Sequence, residues 1–242
     1  MEAHNTTVYI GFDSAQAIAH DVCVRSLRKY NNRIKITSLV KSHLTNQGLF
    51  HRENDSNAST EFTYTRFLVP FLNNYEGVAI FCDSDFLYKY DIEELLQFYD
   101  SSKAVMCVKH EQKCKSPIKF SGLPQKDYPR KNWTSLMIFN CSHPSCKNLN
   151  LKTINNATPK FLHQMEWCKD EEIGEIPFCY NYLLGYYHSN DAKAVHFTEG
   201  GPWNIEWHNS MLPKECIHEI YGDEWMSYLT HDEKKKILKY NL

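Results

Sequence analysis

A short apolar run that ends in two carboxylates constrains the fold of this chain more than any other feature. Residues 78–82 read Val-Ala-Ile-Phe-Cys, and Asp83, Ser84 and Asp85 follow directly. A continuous apolar run of this length predicts a strand that is buried on both faces, as in parallel sheets. Two carboxylates at the tip of a strand can converge, and their oxygens suit Mg²⁺ or Mn²⁺. The same triplet could instead be an ordinary turn that caps the next segment.

Segments typical of strands alternate with segments typical of helices along the chain. Strand-like apolar runs occupy residues 8–13, 34–40, 78–82, 104–108, 135–140 and 194–197. Helix-like spacing occupies residues 15–30, 63–73, 92–99, 158–167 and 223–240. This alternation predicts an α/β fold of three layers with a mainly parallel central sheet. Ligands of such open sheets bind at the carboxyl edge of the strands, where Asp83 and Asp85 are expected to lie.

Length, charge and cysteine content narrow the class of protein. A chain of 242 residues can form one large α/β domain. We expect one domain over residues 1–242, with a core of about 1–205 and a C-terminal helical extension of about 206–242. The formal net charge of −2 provides no basic field for nucleic acid. No window approaches the roughly 18 apolar residues of a membrane span, and no signal peptide is recognisable.

The nine cysteines are scattered without the spacing of metal-binding pairs. Some of them, such as Cys82, lie inside apolar strands and are expected to behave as small buried hydrophobic residues. We therefore expect reduced thiols and a cytoplasmic location.

Four further segments have polar, charged or glycine residues that could complete a site around Asp83 and Asp85. They are residues 63–70 with Arg66, residues 133–140 at the start of an apolar strand, residues 167–181 with the acidic turn of Asp170, Glu171 and Glu172, and residues 195–203 with His196, Gly200 and Gly201.

Together these segments resemble the glycosyltransferases with a GT-A nucleotide-sugar fold, which is Rossmann-like. The resemblance is closest to the retaining family-eight group, which includes glycogenin and bacterial lipopolysaccharide galactosyltransferases. It covers the chain from Val8 to about Trp203, in the family's order. It implies transfer of a sugar from a UDP- or GDP-sugar to a glycan or other hydroxyl acceptor, with retention of configuration.

The resemblance also implies roles for individual residues. Asp83 and Asp85 would bind Mn²⁺ (or Mg²⁺), with His196 as the third ligand. Asp170 or Glu171 would act in catalysis by stabilising the positive charge that grows on the sugar, as the paired acids of glycosidases do. The residues expected to bind the sugar donor are Gly11, Asp13, Arg66, Asp83, Ser84, Gly200 and Gly201.

The sequence departs from the family's pattern in two places. The family commonly has a lysine after the glycine turn, where this chain reads Gly201, Pro202 and Trp203. We expect Lys109 or His110 to replace that cation beside the diphosphate. The family's usual Asp-Gln-Asp turn reads Asp-Glu-Glu here, at residues 170–172.

Other functions and simpler roles remain open at this point. A nucleotidyltransferase would make nucleotide sugars, but the chain lacks that class's basic glycine-rich loop near its first strand. A catalytically silent domain could bind a nucleotide sugar or a glycan. His196 could be a core residue, Arg66 a partner in a helix-face ion pair, and residues 170–172 a helix cap.

Overall fold

The apolar runs of the sequence become the strands of a six-stranded sheet with a smaller sheet beside it. The computed structural model describes residues 6–52, 58–119, 124–187, 191–204, 207 and 216–239. Its strands are β1 (Thr7–Gly11), β2 (Lys35–Leu39), β3 (Val78–Cys82), β4 (Phe86–Tyr88), β5 (Val105–Cys107), β6 (Leu136–Asn140), β7 (Ile173–Glu175), β8 (Tyr182–Leu183) and β9 (Ala194–His196).

Helices fill most of the connections between these strands. The α-helices are α1 (Ala17–Tyr30), α2 (Lys41–Asn46), α3 (Val69–Leu72), α4 (Leu151–Asn156), α5 (Pro159–His163), α6 (Cys216–Ser227) and α7 (His231–Lys239). Short 3-10 helices occupy Ser14–Gln16, Thr65–Leu68, Ile92–Phe98, Trp133–Ser135, Pro144–Asn148, Asp170–Glu172 and Phe178–Asn181. None of the helices described here has both the length and the apolar character needed to cross a membrane.

The large sheet has the strand order β2-β1-β3-β6-β5-β7. Strand β1 is parallel to β2 and β3, and β5 is parallel to β7. Among the strands described in this sheet, only β6 runs antiparallel to its neighbours. The predicted mainly parallel sheet is therefore confirmed. The carboxyl ends of β3, β5 and β7 meet at one edge, because Cys82 pairs with Leu136 and Cys107 pairs with both Met137 and Glu175.

Alternate residues of the central strands face two separate apolar layers. On one face Phe81 and Phe139 pack with Trp167 and the segment around α3 to α5. On the other face Ile80 and Ile138 pack with Leu27 of α1 and with the small sheet. This alternation follows from the two-residue period of a strand, and it produces the three layers expected from the sequence.

The small sheet has the order β4-β9-β8 and lies beside the end of β3. Its strands β4 and β9 are antiparallel, with Phe86 opposite His196. A third apolar cluster joins this sheet to the C-terminal helices through Phe197, Tyr221 and Trp225. Helix α7 is tied to α1 by Arg25, whose guanidinium donates to both carboxylate oxygens of Glu233 at 2.7 Å. The predicted helical extension thus contains α6 and α7, while its residues 206, 208–215 and 240–242 lie outside the described residues.

Candidate active site

Two strands from different sheets bring the predicted metal ligands together. The backbone N–H of Asp83 donates to the Ser135 carbonyl at 2.8 Å, which extends the pairing of β3 with β6 by one residue. The chain then turns into β4, and the backbone N–H of Phe197 donates to the Asp85 carbonyl at 3.0 Å. Asp83 and Asp85 therefore sit where β3 ends and β4 begins, with His196 on the neighbouring strand β9.

The side chains of Asp83, Asp85 and His196 form one cluster at the carboxyl edge of the large sheet. One ligand atom from each lies within 4.8 Å of the others. The side chains are only 15%, 18% and 2% exposed, respectively. We call this group the acidic–imidazole cluster. Asp83, Asp85 and His196, which the resemblance grouped as metal ligands, therefore lie together in the structure.

A chain of hydrogen bonds sets the orientation of the His196 ring. The amide Nδ2 of Asn181 donates to Ser135 Oγ at 2.8 Å, and that hydroxyl donates to the Asn132 carbonyl at 2.6 Å. The Asn181 Oδ1 is therefore the acceptor for His196 Nδ1, 2.9 Å away. The ring also stacks on Phe86, with centroids 4.4 Å apart. In neutral His196 the proton lies on Nδ1, and Nε2 has a free lone pair directed toward Asp85.

The cluster has the donor set that a divalent cation requires. His196 Nε2 and Asp85 Oδ1 are 3.3 Å apart, so two acceptor atoms face each other unless a proton or a cation lies between them. The Oδ1 atoms of Asp83 and Asp85 are buried, and the charged or polar groups beside them are Arg66 Nη1 and His196 Nε2, respectively. Two carboxylates and one imidazole held by an outer hydrogen-bond network are a suitable set for Mn²⁺ or Mg²⁺. The residues present therefore fit the predicted ion.

Arg66 contacts the cluster through Asp83. Its Nη1 lies 2.8 Å from Asp83 Oδ1, and the same nitrogen donates to the Thr134 carbonyl at 2.8 Å. Its Nε donates to the Thr63 carbonyl at 3.2 Å, and the residue is buried. Arg66 is therefore a buried partner of a cluster carboxylate, which excludes the alternative of a surface ion pair on a helix.

The two carboxylates differ in acidity. Burial raises the pKa of Asp83 to about 6, against the opposing effect of Arg66 and with a further rise from the charge of Asp85. Burial would also raise the pKa of Asp85, but the protonated form of His196 and the ammonium of Lys119 hold it below its ordinary value. Lys119, which the sequence did not single out, is thus close enough to act on both carboxylates.

Of three residues predicted to bind the sugar donor, Gly11 and Asp13 have identifiable structural roles, whereas Ser84 does not. A Cβ at Gly11 would lie 2.4 Å from ring atoms of Phe62, so that position requires glycine for packing. Both carboxylate oxygens of Asp13 accept backbone N–H groups, from Ala15 at 2.9 Å and from Glu61 at 3.3 Å. Ser84, between the two cluster carboxylates, is fully buried, and its Oγ has no hydrogen-bond partner.

The glycine turn after β9 is adjacent to the cluster in the chain. Gly200 has a φ of 106°, and its N–H donates to the Phe197 carbonyl at 2.8 Å. A Cβ at Gly201 would lie 2.3 Å from the Trp203 ring. Both glycines are thus required by the turn itself, through a left-handed backbone at one and close packing at the other.

The structure does not bring Asp170 and Glu171 to the cluster. They precede β7, and the Glu172 carbonyl accepts from Ala104 at the amino edge of β5. The backbone of the turn therefore meets the sheet at the start of β5. Asp170 is paired with Arg130 at 2.6 Å, and Glu172 accepts the Lys169 N–H at 2.9 Å. Lys169 and Glu172 thus form a capping box, and a sugar-facing role for Asp170 or Glu171 stays a prediction.

The suggested replacement cations also have other roles. Burial lowers the pKa of His110 to about 3, and its Nδ1 lies 2.7 Å from the Tyr187 hydroxyl. An imidazole with a pKa this low is uncharged near neutral pH, so the structure does not favour His110 as the replacement cation. The ammonium of Lys109 lies 6.0 Å from the centroid of the Trp133 ring.

A plant protein is similar to almost the whole of this chain. No protein-family model matches the chain. Protein CDI of Arabidopsis thaliana is 39% identical over 235 residues, which cover 94% of this chain and 87% of that relative.

Several solved glycosyltransferases share the fold. The bifunctional glycosyltransferase WbbM in its apo form superposes with a TM-score of 0.64 at 18% identity over 98% of this chain. The glycosyltransferase GlyE of Streptococcus pneumoniae TIGR4 has a TM-score of 0.53 at 13% identity over 91% of this chain. The galactosyltransferase LgtC, in complex with sugar donor and acceptor analogs, has a TM-score of 0.51 at 11% identity over 95% of this chain.

These similarities differ in how much of each neighbour they include. The match covers 99% of LgtC, but 63% of GlyE and 52% of WbbM, so this chain spans about half of WbbM. At such low identity the similarity establishes the GT-A fold and leaves the activity to be argued from the site.

Proposed function

The chain belongs to the same family as Protein CDI of Arabidopsis thaliana, and from this premise and its GT-A fold we propose that it is a metal-dependent glycosyltransferase. The proposed reaction moves a sugar from a UDP- or GDP-sugar to a glycan or other hydroxyl acceptor. The observation that carries this proposal is the cluster of Asp83, Asp85 and His196 at the carboxyl edge of the sheet. Ligands of open α/β sheets bind at that edge.

The chemistry of sugar transfer explains why such a cluster would be needed. Negative charge grows on the diphosphate as its bond to the anomeric carbon breaks. A divalent ion held by Asp83, Asp85 and His196 would oppose that charge where it develops. Since two carboxylates and a diphosphate repel each other, the acidic cluster on its own would exclude the sugar donor.

The protein's own residues prepare the site before any ligand arrives. Asn181 and Ser135 direct the Nε2 lone pair of His196 toward Asp85. Arg66 holds one oxygen of Asp83 in place. Because these groups are buried and positioned by backbone carbonyls, little reorganisation accompanies ligand binding, which is the condition for effective electrostatic stabilisation.

Several finer assignments rest on the resemblance described above. We propose Mn²⁺, or else Mg²⁺, as the ion, retention of configuration, and membership of the family-eight group. Arg66, Ser84, Gly200 and Gly201 are proposed to lie near the diphosphate. We also propose a cytoplasmic location, which rests on the sequence alone.

A transfer assay with matched variants tests the proposal. UDP- and GDP-sugars are incubated with the protein and simple glycoside acceptors, and release of nucleoside diphosphate is followed with Mn²⁺ and with EDTA. Release that needs Mn²⁺, increases with an acceptor, and falls by about 10² or more in Asp85→Ala supports the function. Glu76→Gln is the control, because it removes an exposed carboxylate just before β3, at the end of that strand away from the cluster.

Two other results would replace the proposal. Release of pyrophosphate from a nucleoside triphosphate and a sugar phosphate would indicate a nucleotidyltransferase. Metal-dependent binding of a nucleotide sugar, with no turnover against any acceptor, would indicate a silent binding domain. A parent rate in folded Asp85→Ala would refute the role of the cluster.

A further inference from the structure

A long loop beside the cluster concentrates much of the positive charge of the chain. Between Lys109 and Lys131 the sequence has seven basic residues and two acidic ones, although the formal net charge of the whole chain is −2. We call the described residues of this loop, 109–119 and 124–131, the basic loop. It connects the carboxyl end of β5 to the start of β6, so both of its ends lie at the edge that carries the cluster. An anion approaching the cluster would therefore meet this loop.

The two described arms of the loop pair with each other. Ile118 and Pro124 form an antiparallel bridge, and the N–H of Gln125 donates to the Pro117 carbonyl at 2.9 Å. Gln125 Nε2 also donates to Glu199 Oε2 at 2.5 Å. The loop is thus attached to the segment that follows His196.

Lys119 is a loop residue whose side chain contacts the segment after β9. Its Nζ donates to the Thr198 carbonyl at 2.6 Å, and Thr198 lies between His196 and the turn at Gly200. Its positive charge also acts on both Asp83 and Asp85. An ammonium has three N–H donors, so the bond to one carbonyl leaves capacity for phosphate oxygens.

The charges around the site indicate a binding role for the ammonium of Lys119. Asp83 and Asp85 would be neutralised by a divalent cation bound between them. Arg66 and Lys119 would then leave an excess of two positive charges at a partly buried site. The diphosphate of a nucleotide sugar, with one negative charge on each phosphate, would balance that excess. Unpaired charge in such a place is costly, so an anionic ligand of this kind fits the site.

We propose that Lys119, which lies in the basic loop and donates to the Thr198 carbonyl, binds the diphosphate of the sugar donor. This inference rests on the proposed function. It assigns the phosphate-binding cation to a residue about 80 positions before the glycine turn. It also gives the basic loop a role in binding the sugar donor.

Calorimetry with nucleotides that differ only in phosphate content tests the inference. UDP, GDP and their nucleosides are titrated separately into the protein with saturating Mn²⁺. Lys119→Met should weaken UDP or GDP binding about tenfold or more, as expected for loss of a hydrogen bond to a charged group. Binding of the nucleoside should stay within about twofold, and Lys119→Arg should recover most of the diphosphate affinity.

Lys126→Met is the matched control, since it removes the same charge from an exposed position of the same loop. It should leave diphosphate affinity within about twofold. An equal loss of diphosphate affinity in Lys119→Met and Lys126→Met would show that the overall positive charge of the loop attracts the diphosphate. It would overturn the specific role of Lys119. Parent affinity in Lys119→Met, with metal-dependent binding retained, would overturn the inference and leave the proposed function intact. Absence of any metal-dependent UDP or GDP binding by the parent protein would overturn both.

Circular dichroism and melting temperature show whether each variant is folded. If Lys119→Met is unfolded, Lys119→Gln with the same readouts replaces it. Should Lys119 serve only to neutralise the empty cluster, the methionine variant would bind Mn²⁺ more tightly and UDP or GDP as before. That result would also count against the proposal.

Discussion

Asn181 Oδ1 accepts a hydrogen bond from His196 Nδ1 at a distance of 2.9 Å, inside the protein and next to two carboxylates. Asn181 is fully buried, and its amide donates to Ser135, so its orientation is determined. The bond selects the His196 tautomer in which Nε2 can bind a metal. Outer partners of this kind commonly tune metal affinity as strongly as some ligands do.

Asn181→Ala is expected to weaken Mn²⁺ binding about 10- to 100-fold, because the imidazole loses its fixed orientation. Calorimetric titration of Mn²⁺ measures the effect. The control is Asn140→Ala, since Asn140 is also buried but donates to the Ser101 and Lys103 carbonyls at the other edge of the sheet. Both variants should lose stability, and only the first should lose metal affinity. Similar metal affinity in the two variants would show that Asn181 has a structural role alone.

Binding of UDP or GDP is expected to require a divalent cation, because the carboxylates of Asp83 and Asp85 repel a diphosphate. Titrations with Mn²⁺ and with EDTA should differ by at least about tenfold in affinity. In His196→Ala the Mn²⁺ requirement should persist at a higher metal concentration. Equal affinity with and without metal would remove the metal from the proposed mechanism.

Arg66→Met is expected to destabilise the protein by about 3 kcal/mol, because it leaves the carboxylate of Asp83 buried without its partner. Urea unfolding at neutral pH measures the loss. The double variant Arg66→Met with Asp83→Asn should lose less than the sum of the two single variants, since it removes both members of the pair. Additive losses would mean that the 2.8 Å contact contributes no coupling energy.

Acid is expected to destabilise the protein through His163. Burial, together with the positive charges of Arg66 and Arg52, lowers the pKa of His163 to about 3. Its ring packs against Phe67, with centroids 5.2 Å apart. The unfolded chain then binds more protons than the folded one between pH 6.5 and about pH 3, so stability falls as the pH drops through this window.

The size of this effect follows from the difference in proton binding. Between pH 6.5 and pH 5 one such histidine should cost about 2 kcal/mol of unfolding free energy. The measurement compares the pH dependence of urea unfolding in the parent protein and in His163→Leu. The difference between the two curves isolates His163 from other titrating groups. Parallel curves would show that His163 is already protonated, or equally accessible, in the folded protein.

Much of the fold could be predicted from local sequence patterns. The apolar runs anticipated β1, β3, β5, β6 and β9, because a strand buried on both faces needs a continuous apolar segment. Strand β2 was also anticipated, although it lies at the edge of the sheet and only its Leu39 is buried. Strands β7 and β8 read Ile-Gly-Glu and Tyr-Leu, so neither contains an apolar run long enough to predict a strand. The small sheet is formed by pairing between distant segments, so it could not be predicted from either segment alone.

The sequence by itself also determined the chemical type of the candidate site. Two carboxylates placed one residue apart at the end of a buried strand limit where that strand can end and what can bind there. His196 was added by resemblance, and the pairing of β4 with β9 brings it to the carboxylates. Only the tertiary structure decided which other residues serve the cluster. Arg66, Asn181 and Lys119 lie far apart in the chain, and their contacts depend on the register of two sheets and on one loop.

The acidic turn at Asp170 and Glu171 also shows that residue type alone does not establish a role in the site. Its carboxylates are of the right chemical type, but the register of β7 with β5 brings the backbone of the turn to the start of β5, whereas Asp83 and Asp85 follow the end of β3. Residue type reflects local chemistry, whereas catalysis requires atoms a few ångströms apart. That proximity is set by strand order, strand direction and register, which arise from contacts between segments distant in sequence.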